Sequence, residues 1–252
     1  MASDTPQVPG ISGKKPRSPL ARHYDVQTRF EIGVDEAGRG PMFGPLYVAA
    51  VVLPKESDDS QGFHYDWMKD SKKFTSKKKI AEVAEHIKTH AVAWHVAAIS
   101  AAEIDRINIR QAVFRGMHEC IREVIRKTSE TTETPRLADY MGLIDGNDFA
   151  PYFVYDETAD TMEYMRHETF EGGDNRFCAI AAASILAKCD RDAHMLDLCQ
   201  QFPILETRYK INTNMGYGTK PHMEAILEHG IVEGHRRTYG ICKQFAEVGP
   251  LI

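Results

Sequence analysis

The stretch that most constrains the fold is GVDEAGRGPMFGPLYVAAVVLP, residues 33–54. Two apolar runs, Phe30–Val34 and Leu46–Leu53, have the β-branched and aromatic content of buried strands. Between them lie two adjacent carboxylates, Asp35 and Glu36, and a glycine- and proline-rich loop that carries Arg39. The simplest arrangement is two neighbouring strands with the charged pair ending the first. A carboxylate there projects beyond the sheet, where loops gather and sites form. A charged pair between two buried strands serves no evident packing purpose, which makes it the first candidate site.

The rest of the chain alternates strands with helices. Thr75-Ser76 predicts the cap of a helix running to about His90, with Ile80, Val83, Ala84 and Ile87 on one face. Ala91–Ile99 reads as a third strand. Ser100-Ala101-Ala102-Glu103 reads as a capping box opening a short helix, followed by a longer one from Asn108 to about Lys127. Residues 128–136 read as a polar loop. A strand at Met141–Ile144 ends at Asp145-Gly146-Asn147. Residues 148–161 read as loop and Met162–Phe170 as a strand, broken by Gly172-Gly173-Asp174. Helices follow from Cys178 to about Gln200 and from Pro221 to His229, closed by Gly230. This order predicts an α/β sheet with a helical C-terminal part.

Composition narrows the function. The chain has 252 residues, 42% hydrophobic and 27% charged, which suits one large domain. We expect a disordered tail at 1–27, rich in Pro, Ser, Gly and basic residues, and a domain over 28–252. No apolar run reaches the length of a membrane span, and the N-terminus lacks a signal-peptide core. Five cysteines with no C-x-x-C spacing point to reduced thiols and an intracellular setting, cytoplasmic, or nuclear in a eukaryotic or viral source. Within the tail, Lys14-Lys15-Pro16-Arg17 reads either as a nuclear address or as nothing. The net charge of -5 argues against a generally basic nucleic-acid binder. Local basic patches remain at Lys69–Lys79 and at His235-Arg236-Arg237.

Acids at strand ends are the informative residues: Asp35 and Glu36 on one strand, Asp145 on another. Asp174 follows a glycine pair and precedes a helix, where it would equally serve as an N-cap. Asp145-Gly146-Asn147 would equally be an ordinary turn. Asp190 and Asp192 are rival acids within the long helix. A cluster of carboxylates is destabilising without positive charge among them, and hard divalent cations supply that charge through oxygen ligands. Two such ions activate water and stabilise the leaving oxygen of a phosphodiester.

In this order, GVDEAGRGP at 33–41, DSKKFTSKKK at 70–79, LIDGN at 143–147, GD at 173–174, AIAAASILAKCDRD at 179–192, GYGTKPH at 216–222 and GHRRTYG at 234–240 resemble the type 2 ribonucleases H, the ribonuclease HII family. The resemblance implies a ribonuclease H-like fold: a mixed five-stranded sheet flanked by helices, with a helical C-terminal segment. It implies an endoribonuclease that cleaves RNA in RNA–DNA hybrids and incises 5′ to ribonucleotides embedded in duplex DNA. The ends would be 3′-hydroxyl and 5′-phosphate, and the roles DNA replication and ribonucleotide repair. Asp35, Glu36, Asp145 and Asp174 match the metal-site acids for Mg²⁺ or Mn²⁺, two ions in catalysis. Gly38-Arg39-Gly40 matches the grip on the RNA–DNA junction, and Tyr217 the reader of the 2′-hydroxyl. Lys72, Lys73 and Arg191 are candidates for holding the nucleic-acid backbone. The family usually has proline where this chain has Gly218, and the stretch from Asn147 to Gly173 is longer than in compact bacterial members.

The expected partners are hybrid and ribonucleotide-containing duplex, with a monomer as the working state. Whether the tail or residues 242–252 recruit a replication clamp stays open. The alternatives are a ribonuclease HIII-like nuclease, an inactive hybrid-binding scaffold and a phosphate-binding loop protein. The HIII type usually carries an N-terminal substrate-binding domain for which about 30 residues are too few. No G-x-x-x-x-G-K-[ST] or G-x-G-x-x-G is present to support the last.

Overall fold

The structure is a computed structural model that describes residues 19–55, 62–131, 135–157 and 159–251. Its centre is a five-stranded mixed sheet built from β1 (Phe30–Ala37), β2 (Leu46–Val52), β3 (Ala93–Ile99), β4 (Tyr140–Asp145) and β7 (Arg166–Phe170), in the order β3-β2-β1-β4-β7. β1 and β2 pair antiparallel, as do β2 and β3, while β1–β4 and β4–β7 are parallel. The helices are α1 (Lys77–His90), α2 (Ala101–Ile107), α3 (Ile109–Thr131), α4 (Cys178–Gln201), α5 (Pro203–Thr207), α6 (Ile211–Asn214) and α7 (Lys220–His229).

Strand periodicity explains the two layers. Phe30, Ile32 and Val34 of β1 join Val113, Met117, Ile121 and Val124 of α3 in one core. Successive side chains point to opposite faces, so Gly33 and Asp35 face α4 instead. The second core packs Ala49 and Val51 of β2 against the Ala-rich face of α4 and the apolar stripe of α1. The α1 cap is as the sequence predicts: the Ser76 hydroxyl accepts from the Lys79 amide. Ser100 likewise caps α2 by accepting from the Glu103 amide.

Gly33 sets how closely α4 crosses the sheet. A Cβ there would lie 2.1 Å from the Ala179 carbonyl carbon and 2.3 Å from its oxygen, both main-chain atoms. Gly33→Ala is therefore expected to destabilise the fold by about 3 kcal/mol or more, near the upper end for overpacked cores. Chemical denaturation checks this; a cost below roughly 1 kcal/mol would show that α4 can lift off the sheet freely.

Four expectations need correction. The tail boundary falls earlier than residue 27. Residues 1–18, with Lys14-Lys15-Pro16-Arg17, lie outside the described residues, but Ala21 bridges to Phe177 and Tyr24 meets Phe170 and Phe177 edge-on. The Glu31 carboxylate accepts from the amides of Tyr24 and Asp25, at 3.0 and 2.6 Å. Residues 148–161 are not wholly loop, because a hairpin of β5 (Phe153–Asp156) and β6 (Thr161–Tyr164) stands outside the main sheet. The expected strand Met162–Phe170 is two strands, parted at Met165. Finally, α3 runs on to Thr131, into the first residues of the predicted polar loop at 128–136.

Candidate active site

The carboxylates converge because of register. The last parallel pair of β1 and β4 is Val34 with Ile144, so Asp35 and Asp145 follow side by side on neighbouring strands. Asp35 is buried beneath α4. It accepts from the Glu36 amide at 2.7 Å and is hydrogen-bonded by Ser184, whose oxygen lies 3.0 Å from that of Ser71. Burial, then Asp145, then Glu36 push the Asp35 carboxyl well above its ordinary range. Glu36 is raised by burial against the pull of Arg39, whose guanidinium lies 3.4 Å away.

Asp174 stands beside this group but is not an N-cap of α4, a place taken by Phe177. It lies in the 3-10 turn Gly173–Asn175, buried, and is raised by burial, by Asp70 and by Asp145. The Gly173 amide donates to Asp145 at 2.7 Å, which ties that turn to the end of β4. The rival acids are accounted for otherwise: Asp190 pairs with Lys88 and Asp192 with Lys188, each at 2.8 Å.

The opening of the site is a cleft of about 470 Å³. Asp35, Glu36 and Asp145 line it together with Gly38-Arg39-Gly40, Tyr217, Ser71, Lys72 and Arg191. Tyr217 is 48% exposed, and a Cβ on Gly40 would be 3.8 Å from its ring. Lys73 does not line the cleft; it lies 3.7 Å from Asp70. Asp70 also caps the 3-10 turn Ser71–Lys73 through the Lys72 amide. Gly218 is exposed, and the nearest atoms a Cβ there would meet belong to the Met42 side chain, at 2.8 Å.

Two arginines behave differently from their sequence reading. Arg191 is 2% exposed and its guanidinium donates to main-chain carbonyls, those of Met215 at 2.9 Å and Pro45 at 3.2 Å. Arg191 lines the cleft, but these bonds spend its Nε and one terminal nitrogen on bracing the loop. A Cβ on Gly38, whose φ is +91°, would sit 2.2 Å from Arg191 Nε, so only glycine fits that turn. The expected patch His235-Arg236-Arg237 is not a surface patch either. Arg236 is fully buried and donates to the carbonyls of Gly38 at 2.6 Å, Arg39 at 3.0 Å and Gly44 at 2.9 Å. His235 is buried beside His222, and burial with that neighbour pushes it down to about 4. Sequence reasoning missed Arg236 as the latch of the loop; the one hint was a charged residue in a segment otherwise rich in glycine and aromatics.

A model of the family described as Ribonuclease HII matches residues 32–242. The chain belongs to the ribonuclease HII family. The enzyme is thus a hydrolase and an endoribonuclease of a metal-dependent family. It is 37% identical over 226 residues to the ribonuclease HII of Parabacteroides distasonis, covering 90% of this chain and 98% of that one. Among solved structures it resembles the ribonuclease HII in the PCNA complex from Archaeoglobus fulgidus, at 24% identity and TM-score 0.55, covering 84% of this chain and 96% of that one. It also resembles Bst-RNase HIII in complex with Mn²⁺, at 18% identity and TM-score 0.55, covering 82% of this chain and 65% of that one. These two likenesses bear on the fold, a ribonuclease H-like mixed sheet.

The residues of this ribonuclease HII family member fit a hard divalent cation. The donors are all oxygens, and Asp35, Asp145 and Asp174 crowd one another with little positive charge among them. Among the described residues no three His, Cys, Asp or Glu side chains form a ready-made cage.

Proposed function

We propose that the enzyme cuts the RNA strand of RNA–DNA hybrids and also incises 5′ to single ribonucleotides embedded in duplex DNA. The products would carry 3′-hydroxyl and 5′-phosphate ends, and the work would belong to DNA replication and ribonucleotide repair. The observation that carries this reading is the juxtaposition in one cleft of Asp35, Glu36 and Asp145, the Gly38-Arg39-Gly40 loop and the exposed Tyr217 ring.

Each residue has a chemical role here. The 2′-hydroxyl is the group that distinguishes RNA from DNA at a site. Main-chain groups of a glycine loop approach it closely, and Tyr217 closes over the next sugar. Asp35, Glu36, Asp145 and Asp174 would hold Mg²⁺ or Mn²⁺, two ions in this reading, which when bound supply positive charge at the scissile phosphate. Lys72 lines the same cleft and would meet a phosphate oxygen. Arg39 balances Glu36 and reaches outward toward the backbone. Intracellular work is consistent with the five free cysteines, and a sliding clamp is a candidate partner in solution with the monomer.

Tyr217→Ala is expected to lower incision at a single ribonucleotide about 10–100-fold, the worth of one aromatic contact to a nucleotide. Cleavage of long RNA tracts should fall only a few-fold; equal losses would remove Tyr217 from junction reading. The test of the whole reading is a labelled duplex with one ribonucleotide, incubated with Mg²⁺, Mn²⁺ or chelator. Incision on its 5′ side, lost with chelator, is expected. Cleavage of a long hybrid but not of this duplex would replace the reading with a ribonuclease HIII-like one. Metal-independent binding without cleavage of either substrate would leave a scaffold.

A further inference from the structure

The β5–β6 hairpin has an apolar face that the domain does not cover. Its register pairs Phe153 with Tyr164 and Tyr155 with Met162, so these four side chains share one face. They are 47–61% exposed, and the Phe153 and Tyr164 rings lie 5.6 Å apart. The other face carries Val154, Asp156, Thr161 and Glu163. The hairpin is a separate two-stranded sheet, so each strand also has an unpaired edge. Large aromatic groups held together in water on an isolated hairpin mark an interaction surface.

Its charge selects the partner. Residues 148–165 contain no Lys, Arg or His and five acids: Asp148, which pairs with Arg110, and Asp156, Glu157, Asp160 and Glu163 on the hairpin and its turn. Nucleic acid would stack on the rings but its phosphates are repelled by those acids. A second copy would set the same acids against each other, because a two-fold contact is self-complementary. We propose that the hairpin is a docking surface for a basic protein segment that places apolar anchors on the Phe153, Tyr155, Met162 and Tyr164 face.

The position keeps the active site free. The Met165 amide donates to the Tyr152 carbonyl at 2.9 Å and closes the base of the hairpin. β7 then starts at Arg166 opposite Met141, whereas Asp145 stands opposite Phe170 at the far end of the same pair. Four residues of strand, about 13 Å, separate the two ends. A docked partner would thus tether the enzyme without entering the cleft.

The test selects binders of the full chain from a random twelve-residue peptide display library. Two variants serve as controls: Phe153→Ser/Tyr155→Ser/Tyr164→Ser, and Glu157→Lys/Asp160→Lys/Glu163→Lys, which leaves the apolar face intact. Hybrid cleavage at the unaltered rate verifies that each is folded. Expected are peptides with net positive charge and at least two aromatic or aliphatic residues, binding either variant about 10-fold or more weakly and weakening with salt. Neutral or acidic binders, or binding that both variants retain, would overturn the proposal. So would oligonucleotide binding or self-association that the serine variant abolishes. Increased exposure of Tyr155 and Tyr164 on deleting residues 1–18 would also overturn it, because the chain's own basic segment would then be the occupant.

Discussion

Asp35→Asn is expected to lower the cleavage rate by about 1,000-fold or more while leaving the melting temperature unchanged or raised. The two halves of this result have one cause. Asp35 is buried, sits beside Asp145 and Glu36, and is held well above the ordinary carboxylate range by that burial and those charges. Its ionised form therefore costs the folded state free energy at neutral pH. Asparagine keeps the shape and the contact with Ser184 while removing the charge. Affinity for hybrid, measured in chelator, should be similar or higher because repulsion of phosphate falls. Cleavage at the wild-type rate would show that Asp35 is not part of the reacting centre. A large drop in melting temperature would show that the carboxylate is structural.

Arg236→Met is expected to have the second largest effect, through shape rather than charge at the substrate. The buried guanidinium joins the carbonyls of Gly38, Arg39 and Gly44, and no acid among the described residues pairs with it. Methionine fills a similar volume but leaves the Gly38 and Gly44 carbonyls without this donor, while that of Arg39 keeps the Tyr239 hydroxyl at 3.0 Å. A loss of about 3–5 kcal/mol is expected, as when a buried charge network loses one partner. For a domain of this size that is roughly 6–20 °C in melting temperature. At a temperature where the variant is still folded, KM for a single-ribonucleotide duplex should rise more than kcat falls, because the gripping loop is loosened while the acids stay in place. Arg236→Lys should not rescue, since one ammonium cannot span three carbonyls as a planar fork does. Unaltered stability and KM would mean that Arg191 alone holds the loop.

Most of the fold was legible because its signals are local. The caps at Ser76 and Ser100, the stripe of α1 and the Ala-rich α4 all lie within a few residues of the elements they define. The acids at Asp35 and Asp145 were legible because a charge that ends an apolar run is conspicuous. The hairpin at 153–164 was not, since nearly all its side chains are exposed and no alternation of burial is imprinted on it. The N-cap alternative for Asp174 could not be dismissed from sequence, because the acids beside it, Asp70 and Asp145, come from distant segments. Arg191 and Arg236 were read as surface charges for the same reason: what they bind is main chain, which carries no signature in the sequence.

The latch also has a consequence in time. Gly38 and Arg236 are 198 positions apart, so the ribosome makes the gripping loop long before the side chain that fastens it. At typical synthesis rates the interval is roughly 10–40 s. Throughout it the carbonyls of Gly38, Arg39 and Gly44 lack the guanidinium that joins them, and β4, which brings Asp145 beside Asp35, is itself more than halfway along the chain. The nascent polypeptide thus emerges with its nuclease centre unassembled, and competence arrives only as the last tenth of the sequence folds back onto the first quarter.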